Sequence, residues 1–235
     1  MNEEQWLACT DPRQMLEAVQ GGGKASDRQF RLFAVACFRR VWHMVADRRS
    51  RDAVEMLERL ADGGASRAEV EHALRGACTA QFEAETYAGD RLSVARGLSA
   101  GYVHRAFIAP PSATAGEARY YARHAAVVAA GAAAHAAAER AEEGHCRLLR
   151  DIFGGLRRSP PPVPPRVLAW DGGLAQAAYE HRELPAGTLD PTRLAVLADA
   201  LEEAGCDQAD VLAHLRGPGP HVRGCWVLDL LLGKS

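Results

Sequence analysis

Apolar residues recur at intervals of three and four along nearly the whole chain, and no segment of any length alternates apolar with polar residues. That spacing lays side chains on one face of a helix, whereas a half-buried strand needs a period of two. The clearest stripe is Phe30, Phe33, Cys37, Val41 and Val45, with Ala34 and Phe38 beside it. Start and stop signals bracket the stripes. Ser26-Asp27-Arg28-Gln29, Ser66-Arg67-Ala68-Glu69 and Thr114-Ala115-Gly116-Glu117 read as capping boxes, in which the first and fourth side chains satisfy orphan backbone amides. Asp11-Pro12 and Asp190-Pro191 put proline at the first helical position. Ser50 is expected to open the helix carrying Val54, Leu57 and Leu60, and Asp207 to cap the one from Ala209 to Arg216. The expectation is an all-α fold: a multi-helix bundle with a smaller C-terminal helical region.

Two compositional segments organise that bundle. Between residues 122 and 141, 12 of 20 residues are alanine, which predicts a long central helix running on to Phe153. Residues 159–165, Ser-Pro-Pro-Pro-Val-Pro-Pro, cannot continue a helix and read as a stiff extended connector. This divides the chain into an N-terminal helical bundle, 1–158, a connector, 159–166, and a C-terminal helical subdomain, 167–235.

Charge and cysteine usage narrow the setting. Lys and Arg number 28 against 30 Asp and Glu, a balance that argues against general nucleic-acid affinity. The single basic concentration is Arg28, Arg31, Arg39, Arg40, Arg48, Arg49 and Arg51, the one stretch where a nucleic acid or another anionic partner would bind. No run of 18 uncharged apolar residues predicts a membrane span. The opening Met1-Asn2-Glu3-Glu4-Gln5 is unlike a secretion signal, and six scattered cysteines read as reduced thiols, so a cytoplasmic location is expected.

The residue types that hold metals concentrate in the tail. Cys206, His214, His221 and Cys225 offer two thiolates and two imidazoles, a suitable tetrahedral zinc shell. Their separations of 8, 7 and 4 residues match no finger or ribbon, and Cys206 and His214 flank one short helix. The bland alternative has His221 bonded to a loop carbonyl and both cysteines in the core. The loop Arg216-Gly217-Pro218-Gly219-Pro220-His221-Val222-Arg223-Gly224 brings Arg216, His221 and Arg223 near the start of the last helix, where they could take an anion. Against that, Gly and Pro are ordinary turn residues, and the arginines have Asp199 and Asp229 to pair with. Arg39 and Arg40 are the matching candidates for an anion or partner in the basic stretch. Glu69-x-x-His72 and Glu142-x-x-His145 are the two halves of a carboxylate-bridged di-iron motif, although Glu69 also fits a helix cap. No Gly-x-Ser-x-Gly, His-Glu-x-x-His, phosphate-loop or Cys-x-x-Cys motif occurs.

Several segments carry a family resemblance: WLACTDPRQML from Trp6, DRQFRLFAVACFRRVW from Asp27, LLRDIFG from Leu148, and LADALEEAGCDQADVLAHLRGPGPHVRGCWVLDLLLG from Leu197 to Gly233. Together they resemble a large paralogous family of planctomycete proteins of the Gemmata type. This chain departs from the family pattern at Gly155-Leu156-Arg157, where members commonly have Asn-Pro-Phe, and at Phe38, where many have a cysteine. The resemblance implies a bacterial source and a shared fold, and it assigns no catalytic residue.

The leading expectation is thus a helical module that binds another protein as an accessory or regulatory subunit, without catalysis or cofactor. The alternatives are a zinc-binding protein using the tail set and, third, a di-iron oxidoreductase.

Overall fold

The computed structural model describes residues 1–22, 25–45, 47–87, 141–156 and 173–234. In chain order its elements are α1 (Glu3–Ala8), α2 (Pro12–Gly22), α3 (Asp27–Arg40), a 3-10 turn (Trp42–Met44), α4 (Arg48–Ala61), α5 (Arg67–Tyr87), α6 (Ala141–Phe153), α7 (Leu174–Glu180), β1 (Arg182–Glu183), β2 (Thr188–Leu189), α8 (Pro191–Glu203), α9 (Ala209–Leu215) and α10 (Trp226–Leu232). The protein is all-α, with one small antiparallel hairpin pairing β1 and β2. The box at Thr114, nearly all of the alanine-rich stretch and the proline connector lie outside the described residues.

The chain forms two compact units, one from Ala25 to His145 and the other combining Met1–Lys24 with Cys146–Ser235. The boundary expected in the proline run falls on residues that are not described. The units are delimited elsewhere, because the first 24 residues pack with the tail.

In the Ala25–His145 unit the α3 stripe is the core. Phe30, Phe33 and Cys37 are fully buried, and α4 lays Ala53, Val54 and Leu57 against them. The Ser26 box forms as its sequence requires, with Gln29 N donating to Ser26 Oγ (3.2 Å) and Ser26 N to Gln29 Oε1 (3.0 Å). Helix α4 starts earlier than expected. Asp47 is its cap, accepting from Arg49 N at 2.8 Å, and Ser50 is buried in the first turn. Much of the basic stretch is paired within this unit, while Arg40 and Arg48 are exposed. Arg39 is buried against Glu58 (2.7 Å), Arg28 pairs with Asp62 (2.9 Å), Arg49 bridges Asp47 and Glu83, and Arg51 Nε donates to Val45 O (2.6 Å). The guanidinium of the exposed Arg40 lies against Gly144, where a Cβ would clash with Nη1.

In the other unit, α7 to α10 share one apolar core built from Ala178, Leu194, Leu197, Leu201, Val211, Leu215, Val227 and Leu228. Asp190 caps α8 by accepting from Thr192 N at 2.8 Å, with Pro191 at the first helical position. Gln208, not Asp207, occupies the cap position of α9. Trp226 is only half-buried at the edge of this core, whereas Trp6 of α1 is fully buried.

Candidate metal centre

Helix α6 carries an acid on its apolar face. Leu148, Leu149 and Ile152 are buried, and Asp151 sits among them by the same helical spacing. A carboxylate there is costly unless its lone pairs are matched. Asp151 Oδ2 accepts from the backbone N–H of Val222 at 2.9 Å, which leaves Oδ1 for the side chains of the tail. His221 Nδ1 lies 2.7 Å from Oδ1, and His214 Nε2 lies 3.0 Å from it. His214 Nε2 is also 3.2 Å from Cys225 Sγ. One donor atom from each of Asp151, His214, His221 and Cys225 lies within 4.8 Å of the other three.

The elements around the site hold each ligand from its backbone. His214 is in the last turn of α9, and Cys225 is the residue before α10. Between them, the main chain of His221 and Val222 is held by the hairpin: Leu189 N donates to His221 O at 2.8 Å, and Thr188 pairs with Val222. Gly219 lies directly beside the His221 ring. It has φ of +67°, and a Cβ there would meet His221 N at 2.8 Å and Cδ2 at 3.2 Å, so only glycine leaves room for this imidazole.

Both ring nitrogens of His221 have oxygen partners. Its Nε2 faces the carbonyl of Gly217 (3.3 Å) while Nδ1 faces a carboxylate oxygen (2.7 Å). Both partners are acceptors. The ring can be a doubly protonated imidazolium that donates to both, a neutral ring with its proton on Nε2 and its Nδ1 lone pair directed at a cation, or a neutral ring that donates Nδ1–H to Asp151. The second state is the usual arrangement of a metal-bound histidine, whose outer N–H is fixed by a backbone carbonyl. Burial acts to lower the His221 pKa, but the hydrogen bond and charge of Asp151 and the Gly217 carbonyl together raise it. Burial likewise acts to raise Asp151, and the two histidines outweigh it and hold the carboxyl below its ordinary value. Burial, followed by the Asp151 carboxylate, pushes the Cys225 thiol well above its ordinary value, while the amides of Leu228 and Val227 pull it down. Without a cation the thiol stays protonated, and a divalent ion would have to displace that proton.

Distances and burial define what the cluster suits. Tetrahedral zinc with bonds of about 2.0–2.3 Å holds its donors about 3.3–3.8 Å apart. The nitrogen, oxygen and sulfur distances here run from 2.7 Å to at most 4.8 Å, on either side of that range. Cys225 is fully buried, and the side chains of Asp151 and His221 are 3% and 5% exposed. Nucleophilic chemistry of the Cys-His-Asp kind fits poorly. In such a triad the acid and the nucleophile contact opposite nitrogens of the imidazole, whereas Asp151 and Cys225 both face Nε2 of His214.

Of the four ligands expected from sequence, the structure brings together His214, His221 and Cys225. Cys206 is not among them: it is buried in the apolar core beyond Gly205, and Asp151 takes the fourth place. The arginines expected to bind an anion with His221 turn to separate partners. Arg216 pairs with Asp199 (2.7 Å) and Glu202 (2.5 Å), and Arg223 lies 5.3 Å from the Tyr179 ring centre. Arg39 and Arg40 belong to the other unit. Of the di-iron pairs, Glu69 and His72 do not converge on a shared site among the described residues, and the side chain of Glu142 lies outside them. Glu69 is engaged as a cap by Ser66 and by Arg59, His72 is exposed, and His145 is buried with neither ring nitrogen hydrogen-bonded.

No described helix is long and apolar enough to cross a membrane. Family models, curated proteins and solved structures give no match to this chain.

Proposed function

We propose that this chain is a zinc-binding helical protein in which Asp151, His214, His221 and Cys225 form a closed structural centre. The observation that carries the reading is the convergence of four donor atoms, one each from Asp151, His214, His221 and Cys225, within 4.8 Å of one another. The donor set favours zinc, because a thiolate and two imidazoles select borderline-soft ions over magnesium or calcium. A four-donor site in which Asp151, His221 and Cys225 are buried and His214 is half-buried suits a metal that holds the fold. Bound there, zinc would tie α6 to α9, to the loop after it and to the start of α10. The reading is compatible with a non-enzymatic module that binds another protein in the cytoplasm of a bacterium, with the metal fixing the shape of the unit.

Elemental analysis of the purified full chain tests the reading. It should give about one zinc per chain, and Cys225→Ser and His221→Ala should each reduce that content. A wild-type chain that takes up no zinc after purification and dialysis against zinc would refute it.

A further inference from the structure

We infer that occupancy of the centre controls the docking of the N-terminal segment, residues 1–22, within its unit. The inference rests on the zinc reading above. The contacts that hold this segment converge on the end of α6 that carries Asp151.

Arg150, next to Asp151, donates Nη2 to the carbonyls of Trp6 (3.1 Å) and Cys9 (2.5 Å). Those carbonyls lie at the C-terminal end of α1, where a cation satisfies orphan acceptors and complements the helix dipole. Trp6 is fully buried, and its indole Nε1 donates to the carbonyl of Gly154 at 2.8 Å. Gly154 ends α6 with φ of +65°, and a Cβ there would meet Trp226 Cγ at 3.1 Å. Trp226 in turn packs on His214, with ring centres 5.2 Å apart. The segment is thus linked to the ligands along two routes. One runs through the α6 backbone, from Asp151 to its neighbours Arg150 and Gly154. The other runs from His214 through the Trp226 ring to Gly154.

Metal bound at Asp151 and His214 fixes both routes at once. Losing it leaves the last turn of α6 held only by its hydrogen bonds and by the packing of Leu149 and Ile152, and the cap that receives Trp6 loosens with it. Linkage makes the effect mutual: whatever the metal adds to docking of the segment, docking adds to metal affinity.

Hydrogen exchange on the full chain, zinc-loaded and then chelated, tests this directly. Amides of residues 3–9 should exchange about tenfold faster or more after chelation, the scale expected when charge-assisted and indole hydrogen bonds are lost. Amides of α8 should keep their protection, and added zinc should restore that of residues 3–9. Trp6→Phe keeps an aromatic ring but removes the indole N–H and its bond to Gly154, so it should bind one zinc with about fivefold lower affinity. A chain that binds zinc yet shows the same exchange at residues 3–9 with and without it overturns the inference and leaves the centre standing. So does a loss of protection equal in residues 3–9 and α8, or an unchanged zinc affinity in Trp6→Phe. A chain that binds no zinc removes the centre and this inference together.

Discussion

Asp151→Asn isolates the metal from every other role of the site. The change removes one buried negative charge and hardly alters volume. With its amide oxygen on Val222 N–H, the asparagine presents its NH2 to the imidazoles, and the Nδ1 lone pair of His221 accepts it. The variant therefore folds with its hydrogen bonds satisfied, but an N–H occupies the place of a ligand lone pair. At free zinc about a thousand times Kd, binding stabilises the folded chain by about 4 kcal/mol. In a unit on the order of 100 residues each kcal/mol moves the transition by about 4 °C, so the shift is about 15 °C. Thermal unfolding followed by circular dichroism, with zinc and with chelator, reads it. Chelator should lower the wild-type transition by about 15 °C. Asp151→Asn should melt near the chelated wild type and respond to zinc by less than about 2 °C. A wild-type transition indifferent to chelator, or a full zinc shift in the variant, would refute the reasoning.

Three further outcomes follow from other residues. Gly219→Ala puts a Cβ into the His221 ring and should cost about 10–100-fold in zinc affinity, measured by competition with a chromophoric chelator, while a variant with wild-type affinity would contradict the positioning role of Gly219. His145 has its pKa lowered from 6.5 to about 4, by burial first and then by the charge of Arg40. The unfolded chain therefore takes up the proton first as pH falls: stability is unaffected above pH 6.5 and declines between 6.5 and 4, by about 3 kcal/mol at most. His145→Leu should remove that part of the pH dependence in urea titrations at pH 7.5 and 5, and identical slopes in both proteins would contradict it. Arg39→Met strands the buried Glu58 carboxylate and should cost about 3–5 kcal/mol, whereas Arg39→Met/Glu58→Leu should recover most of it. Chemical denaturation of the wild type, Arg39→Met, Glu58→Leu and the double variant measures the cycle, and a double variant no more stable than Arg39→Met contradicts the pairing.

The helices were legible because their signals are local. The boxes at Ser26 and Ser66 and the proline at the start of α8 form as their spacing requires, since each needs only neighbours within one turn. Competition between adjacent capping residues was not legible. Asp47 precedes Ser50 with a better-placed carboxylate, and two groups of Arg49, its backbone N–H and its guanidinium, bind it. Within the site, His214, His221 and Cys225 could be found because they cluster in the tail, but Cys206 was drawn in by the same proximity. Its thiol is a small apolar group in the core, the commonest state of a free cysteine. Asp151 lies 63 residues before His214, and spacing rules cannot reach that far. Its one local signal was an acid among Leu148, Leu149 and Ile152, on a face where burial demands a partner. The grouping of the first 24 residues with the tail has the same origin, since the pocket for Trp6 exists only once Gly154 and Arg150 are in place.

Cobalt(II) titration of the metal-free full chain, followed by absorption spectroscopy, tests the central claim most directly. Cobalt in a tetrahedral site with one thiolate gives intense visible bands and a sulfur-to-metal charge-transfer band. The four-ligand centre predicts that these bands saturate at one cobalt per chain and disappear on addition of zinc. In Cys225→Ser the charge-transfer band should be lost, while in Cys206→Ser the spectrum should be unchanged. A spectrum of free aqueous cobalt throughout, or a charge-transfer band that survives in Cys225→Ser, would contradict the claim.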